Sequence, residues 1–110
     1  MDVRRGDVLT VALPGNYGKP GPALVVQADL FNATHSSVTL LPLTSAVVDA
    51  PLFRMTIDPN RDNGLTRVSQ IMVDKIITVP RDKVGASIGR LEDDAMLRVG
   101  RALAVWLGIA

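Results

Sequence analysis

The chain has 110 residues, a length that suits one domain with one hydrophobic core. Hydrophobic residues make up 47% and aromatic residues only 4%, so the composition excludes a disordered chain and requires an aliphatic core. The net charge of +1 excludes a histone-like protein, and the absence of cysteine excludes disulfides, thiolate zinc sites and cysteine nucleophiles.

No apolar run approaches the ~20 residues that a membrane helix needs. The opening residues "MDVRRGDVLTVAL" carry basic side chains but have neither the long apolar stretch nor the cleavage site of a signal peptide. We therefore expect a soluble protein of the cytoplasm, organised as a single domain over residues 1–110.

Short strands separated by turn residues are predicted for the first part of the chain. Residues 7–13 alternate weakly between Gly6 and Pro14, which is typical of a strand. Residues 14–21 contain two prolines and three glycines and predict a turn. Residues 22–28 are apolar apart from Gln27 and predict a strand that is buried on both faces.

Further strands are predicted along the middle of the chain. Residues 29–36 form a loop with at most one helical turn, and residues 38–43 form a third strand. Pro42 within it indicates a sheet edge or a bulge. Residues 52–57 alternate and predict another strand, and residues 65–79 hold one long strand or two. Short strands at this spacing favour a small barrel or sandwich.

Helical spacing replaces strand alternation after residue 92. Acidic residues occupy the first turn, where they oppose the helix dipole, and Gly108 ends the helix. The apolar positions of one helix face are Met96, Val99, Leu103 and Trp106. The sequence thus predicts a mainly β fold of about six strands, followed by one amphipathic helix packed on a small barrel.

Several polar residues could carry chemistry. Thr44 and Ser45 end the third strand, and Asp74 interrupts an apolar stretch. A carboxylate in such a place needs a partner because desolvation penalises its charge, and that partner is either structural or catalytic. Four basic residues near turns could grip phosphates if they converged on one groove: Lys19, Arg54, Arg61 and Arg67.

Other chemistries are disfavoured. Lys19 follows Gly18, but Pro20 stands where a P-loop needs a hydroxyl, so a nucleotide cradle is a weak interpretation. His35 is the single histidine, which excludes a two-histidine acid–base pair within one chain, and its polar surroundings predict an exposed loop residue. We expect neither a metal ion nor another cofactor.

Five segments, in order, resemble the MazF/PemK family of toxin ribonucleases. They are "RRGDVLTVAL", "GPALVVQADLFN", "HSSVTLLPLTS", "GLTRVSQIMVDKIITVPRDKV" and "IGRLEDDAMLRVGRALAVWLGI". The resemblance implies an SH3-like barrel with a C-terminal helix and a homodimer. It also implies metal-free cleavage of single-stranded mRNA, which proceeds by attack of the ribose 2′-OH on the adjacent phosphate, and silencing by a cognate antitoxin.

The resemblance also implies roles for individual residues. Thr44 matches the family's catalytic hydroxyl, and Asp74 matches an acidic residue near the cleaved phosphate. Two positions where the family carries arginine are Gly21 and Met72 in this chain. Lys19 is therefore the candidate for the missing catalytic cation.

Further basic residues complete the expected RNA groove. Arg54 and Arg67 are alternatives to Lys19 as the catalytic cation. The residues expected to bind RNA are Lys19, Ser45, Arg54, Arg61 and Arg67.

Two other functions stay open at this point. The ending "WLGIA" resembles that of CcdB-type toxins, which share the barrel and poison DNA gyrase by binding. Helical spacing instead favours Trp106 as part of the apolar helix face. A non-catalytic SH3-like regulatory module is the third possibility.

Overall fold

The computed structural model describes residues 2–13 and 20–110. Seven strands, two helices and two 3-10 turns make up the described part, so the predicted mainly β fold with a C-terminal helix is confirmed. The strands are β1 (Asp7–Ala12), β2 (Pro20–Val25), β3 (Ser37–Thr44), β4 (Arg54–Ile57), β5 (Ser69–Met72), β6 (Ile77–Pro80) and β7 (Val84–Arg90). The helices are α1 (Asp29–Asn32) and α2 (Asp93–Trp106), and the 3-10 turns are Val73–Lys75 and Arg81–Lys83.

All strand pairs are antiparallel. The strands follow the order β4-β5-β3-β2-β1-β7, and β6 pairs with β3 off this path. Within the described residues the terminal strands β4 and β7 do not pair with each other. The expected barrel is therefore an open seven-stranded sheet. β3 is its central strand, because it pairs with β2, β5 and β6.

The hydrophobic core lies on both faces of this sheet. In β2, Leu24 belongs to a cluster that also contains residues of α2, whereas Ala23 and Val25 belong to a second cluster on the opposite face. All three side chains are fully buried. Since successive side chains of a strand point to opposite faces, the apolar run in β2 serves both clusters. The predicted burial of this strand on both faces is confirmed.

The edge or bulge predicted from Pro42 is wrong. Pro42 lies in the central strand β3 and pairs in regular register with Ala23 of β2. On the other side of β3, β6 reaches only as far as Leu40 and β5 begins its pairing at Leu43. A proline, which lacks an N–H, is tolerated in this strand because its position is the point where β3 changes partners.

The prediction of about six strands is one short. The additional strand is β7, which was not predicted because Gly85 and Gly89 are weak strand formers. It pairs with β1 through an irregular register. Gly89 permits a close approach of backbones, since a Cβ built there would lie 2.4 Å from the carbonyl carbon of Asn63 and the carbonyl oxygen of Asp62. The glycine therefore marks a contact rather than the end of a strand.

The predicted C-terminal helix is confirmed. α2 begins after Glu92 and is followed by Gly108, whose φ of 72° is in the left-handed region that favours glycine. Met96 and Val99 are buried against the sheet, as their spacing predicts. Trp106 is 48% exposed, and its ring centroid lies 5.8 Å from that of Phe53. In the part of the chain that is described, no helix is long and apolar enough to cross a membrane.

Candidate functional site

The C-terminal end of β3 shares one polar sheet face with β5 and β4. Gln70 of β5 pairs with Thr44 on one side and Thr56 on the other, and Met72 pairs with Arg54. Side chains of directly paired residues project to the same face, as do residues two apart in one strand. These five residues therefore form a single surface, which we call the Thr44 face.

Gln70 anchors the connection between β3 and β4 beside this face. Its side-chain oxygen accepts the Val48 N–H at 3.0 Å, and its amide nitrogen donates to the Val48 carbonyl at 2.9 Å and to the Thr56 hydroxyl at 3.2 Å. Gln70 is buried, and these bonds satisfy its polar atoms. The connector consequently has a fixed position next to the Thr44 face.

Two neighbouring cavities open on the Thr44 face. The first, the Thr44 cavity, has a volume of about 240 Å³ and is lined by Thr44, Met72 and Lys75 together with apolar Leu13 and Ile77, among others. The second, the Arg54 cavity, has a volume of about 360 Å³. It is lined by Arg54, Thr56, Gln70 and residues 47–51.

Asp74 lies between a cation of each cavity, Arg54 of the Arg54 cavity and Lys75 of the Thr44 cavity. Its Oδ1 lies 3.5 Å from Arg54 Nε, and its Oδ2 lies 3.7 Å from Lys75 Nζ. The Asp74 and Arg54 side chains are only 13% and 15% exposed, whereas that of Lys75 is 58% exposed. Among the described residues, neither Asp74 Oδ1 nor Arg54 Nε has a hydrogen-bond partner. The contact is therefore an ion pair, and the partner that Asp74 was expected to need is Arg54.

Thr44 carries its hydroxyl at the mouth of the turn that follows β3. The hydroxyl oxygen accepts the N–H of Ala46 at 3.1 Å. This bond occupies a lone pair and leaves the hydroxyl proton available for an acceptor within the cavity. Thr44 is thus oriented by its own turn and can donate a hydrogen bond to a bound group.

The other predicted residues lie at different places around this face. Ser45 is exposed directly after β3. Arg61 and Arg67 are exposed on the connection between β4 and β5, at the end of that hairpin opposite to Arg54. Lys19 lies outside the described residues. The structure thus pairs Arg54 with Asp74 and places Thr44 on the same sheet face as Arg54, while Arg61 and Arg67 lie at the other end of the β4–β5 hairpin.

Lys75 is a cation at this face that the sequence pattern did not indicate. In an uninterrupted strand, consecutive residues would point to opposite faces, so Asp74 and Lys75 would be separated. They instead lie in the 3-10 turn Val73–Lys75, which ends β5 and lets both side chains meet. The stretch 65–79, predicted to hold one long strand or two, contains β5 and most of β6, and Asp74 lies in the turn between these two strands. The sequence did not indicate this turn, because the apolar residues on both sides of it resemble a continuing strand.

His35 is exposed, as predicted, and its Nδ1 accepts the N–H of Ser37 at 3.2 Å. Over residues 2–13 and 20–110, no group of three or more His, Cys, Asp or Glu side chains is placed to hold a metal ion.

A separate carboxylate secures the N-terminal segment. Asp29 Oδ1 accepts the backbone N–H of Arg5 at 2.7 Å and the side-chain amide of Asn32 at 2.9 Å. These hydrogen bonds, that from Arg5 foremost, hold the pKa of the Asp29 carboxyl below its ordinary value. The hydrogen bond from Arg5 also connects the start of α1 to the segment before β1.

Comparisons with known proteins show the family to which the chain belongs. Residues 4–107 match the model of a family described as PemK-like, MazF-like toxin of type II toxin–antitoxin system. The chain is 50% identical over 109 residues to a probable endoribonuclease MazF of Mycolicibacterium smegmatis, covering 98% of this chain and 99% of that one. It is 30% identical over 114 residues to the endoribonuclease EndoA of Bacillus subtilis, covering 99% and 97%.

The fold has close counterparts among solved structures. One is an endoribonuclease in complex with its cognate antitoxin from a mycobacterial species, with a TM-score of 0.80 at 24% identity. The alignment covers 99% of this chain and 96% of that one. This similarity confirms the predicted fold.

Proposed function

Because the chain belongs to the family of PemK-like, MazF-like toxins of type II toxin–antitoxin systems, we propose that it is an endoribonuclease toxin that cleaves single-stranded mRNA without a metal ion. The relatives favour this function over the gyrase-poisoning alternative, since both curated relatives are named endoribonucleases. The structural observation that carries the proposal is a cavity lined by both Thr44 and Lys75, with Asp74 against Lys75.

The reaction uses the RNA's own nucleophile. The ribose 2′ oxygen attacks the adjacent phosphorus, the bond from phosphorus to the 5′ oxygen breaks, and the products are a 2′,3′-cyclic phosphate and a 5′-hydroxyl. A base takes the 2′-OH proton, an acid returns a proton to the 5′ oxygen, and cations or hydrogen-bond donors stabilise the charge on the phosphorane. DNA lacks the 2′-OH and is not a substrate.

Three residues are proposed for this step. Thr44 donates its hydroxyl proton as a hydrogen bond to a phosphate oxygen, in keeping with the orientation that Ala46 gives it. Asp74, which lies against Lys75 and Arg54, is proposed to accept the 2′-OH proton. Lys19 is proposed as the cation that faces the phosphorane.

The path of the RNA is proposed to follow the Thr44 face. Arg54, in the cavity next to that of Thr44, would bind a neighbouring phosphate. Exposed Ser45 would contact the strand where it leaves the catalytic cavity. Arg61 and Arg67 would bind phosphates at the end of the face opposite to Arg54.

The partners follow from the family. We propose that the chain, as one toxin domain over residues 1–110, forms a homodimer in the cytoplasm and is neutralised by a cognate antitoxin. The mycobacterial structure with 24% identity, which is a complex of an endoribonuclease with its cognate antitoxin, supports such a partner. No cofactor takes part in the proposed reaction.

The direct test is expression of the chain from a tightly controlled promoter, followed by sequencing of RNA ends. We expect growth arrest and new, site-specific 5′-hydroxyl ends, both of which a Thr44→Val variant loses. Growth arrest with trapped gyrase–DNA breaks and unchanged RNA would instead establish the CcdB-like function. Expression with neither effect would favour a non-catalytic module.

A further inference from the structure

We propose that Lys75 binds an RNA phosphate in the Thr44 cavity and takes part in cleavage as a substrate-contacting cation. The identity of the ligand as RNA rests on the proposed function. The placement of the charge rests on the cavity itself: of the described residues that line it, Thr44 and Lys75 have side chains with polar groups at their ends.

The charge of Lys75 is available because Asp74 is already paired from the other side. Arg54, Asp74 and Lys75 form a row in which each Asp74 oxygen faces one cation. Two positive charges and one negative charge leave the row with a net charge of +1. Since Arg54 is 15% and Lys75 58% exposed, the excess charge reaches the surface at Lys75.

The surroundings of Lys75 strengthen its attraction for an anion. Leu13, Met72 and Ile77 line the same cavity, so part of its wall is apolar. A charge beside such apolar walls interacts more strongly with a phosphate than one in open solvent. The 3.7 Å contact with Asp74 also restricts the flexible lysine side chain, which reduces the entropy lost on binding.

Thr44 and Lys75 are complementary in chemistry. Thr44 offers one neutral, oriented donor, and Lys75 offers an ammonium group with three donors. A phosphate between them would accept hydrogen bonds from both walls of one cavity. Lys75 therefore supplies a cation in the cavity of the Thr44 hydroxyl. The same cavity is lined by Met72, at a position where the family carries arginine.

The test compares Lys75→Met with a matched control, Lys83→Met. Lys83 is an exposed lysine in the 3-10 turn Arg81–Lys83 and lines neither cavity of the Thr44 face. Binding is measured against a short 2′-O-methyl oligoribonucleotide, which keeps the phosphates but has no nucleophile. Affinity is recorded over a range of salt concentrations, and cleavage of the matching unmodified RNA is measured in parallel.

We expect Lys75→Met to weaken binding and to lower the slope of log affinity against log salt by about 0.7, the contribution of one phosphate contact on a single strand. We also expect it to lower kcat, whereas Lys83→Met leaves the slope and kcat unchanged. An unchanged slope in Lys75→Met would overturn the inference. Because the binding measurement needs no cleavage, it tests Lys75 even if the native chain proves inactive, and that inactivity would overturn the proposed function alone.

Discussion

Arg54 Nε lies 3.5 Å from Asp74 Oδ1, and the pair is largely enclosed between β4 and the turn that follows β5. The separation is long for a hydrogen bond, so the two groups stabilise each other mainly through opposite charge. Each has been removed from most of its water, and each therefore depends on the other. This dependence gives the residue proposed as catalytic base a second, structural role.

Removing one member of the pair should destabilise the fold. Asp74→Asn keeps the shape of the side chain but leaves the Arg54 charge without its compensation. We expect a loss of about 1–3 kcal/mol in the free energy of unfolding, measured by urea denaturation. The double variant Arg54→Met/Asp74→Asn should lose less than the sum of the two single changes. Strictly additive losses would show that the pair is not coupled.

The Thr44 hydroxyl should matter for activity more than for folding. Thr44→Val keeps the side-chain shape and removes the donor, so we expect the rate of RNA cleavage to fall by about 100-fold or more. The matched control is Thr78→Val, because Thr78 is exposed on β6 and its hydroxyl contacts that of Thr39 on the neighbouring strand at 3.1 Å. Equal rates for the two variants would remove Thr44 from the catalytic step.

The sequence was sufficient for the features that depend on pattern. The apolar run of β2, the helical spacing of Met96 and Val99 and the position of Gly108 predicted elements that the structure confirms. The ordered segments also predicted the family, and the family model and the relatives confirm both it and the endoribonuclease class. These features consist of residue spacing within one element or of the order of segments along the chain. They can therefore be recognised without knowing which distant residues contact each other.

Features that depend on contacts between distant segments were not predictable. Pro42 is placed by a change of strand partners, and Gly89 by the approach of residues 62–63 to β7. Lys75 reaches the Thr44 cavity because a 3-10 turn ends β5, and the apolar flanks of that turn resemble a continuing strand. For Pro42 and Gly89 the decisive neighbour lies elsewhere in the sequence, whereas for Lys75 it is a local turn that the flanking residues do not indicate.

Glycines in β7 and α2 should respond to alanine in opposite ways. In Gly89→Ala the new Cβ would lie 2.4 Å from backbone atoms of residues 62 and 63, so we expect a loss of about 1–3 kcal/mol in the free energy of unfolding. In Gly100→Ala the nearest atom is the flexible Arg5 side chain at 3.5 Å. Alanine in the middle of α2 should then stabilise the fold by about 0.5–1 kcal/mol. Thermal melting measures both variants. Melting temperatures that shifted in the same direction for the two variants would contradict this packing.

The Asp29 carboxylate should contribute a pH-dependent part of the stability. Its pKa is lowered in the folded chain, chiefly by the Arg5 N–H, from an ordinary value of 3.8. The folded state therefore binds fewer protons than the unfolded state in this range, so the contribution is fully present above the ordinary value and is lost as the pH falls through the lowered one.

An Asp29→Asn variant isolates this contribution, because the amide oxygen can still accept the hydrogen bonds but carries no charge. We expect it to be less stable than the native chain near neutral pH and to approach the native stability as the pH falls below about 4. Urea denaturation across that range measures the difference. A difference that stayed constant down to the most acidic pH would show that the charge of Asp29 contributes nothing.

The measurement that tests the central claim most directly uses one RNA sequence, prepared with and without a single 2′-deoxy nucleotide on the 5′ side of the cleaved phosphate. The purified chain, with EDTA present, is expected to cut the unmodified RNA and to leave a 5′-hydroxyl end, while the 2′-deoxy RNA stays intact. Cleavage of both RNAs at the same phosphate would contradict the account, because the adjacent ribose hydroxyl could not then be the nucleophile.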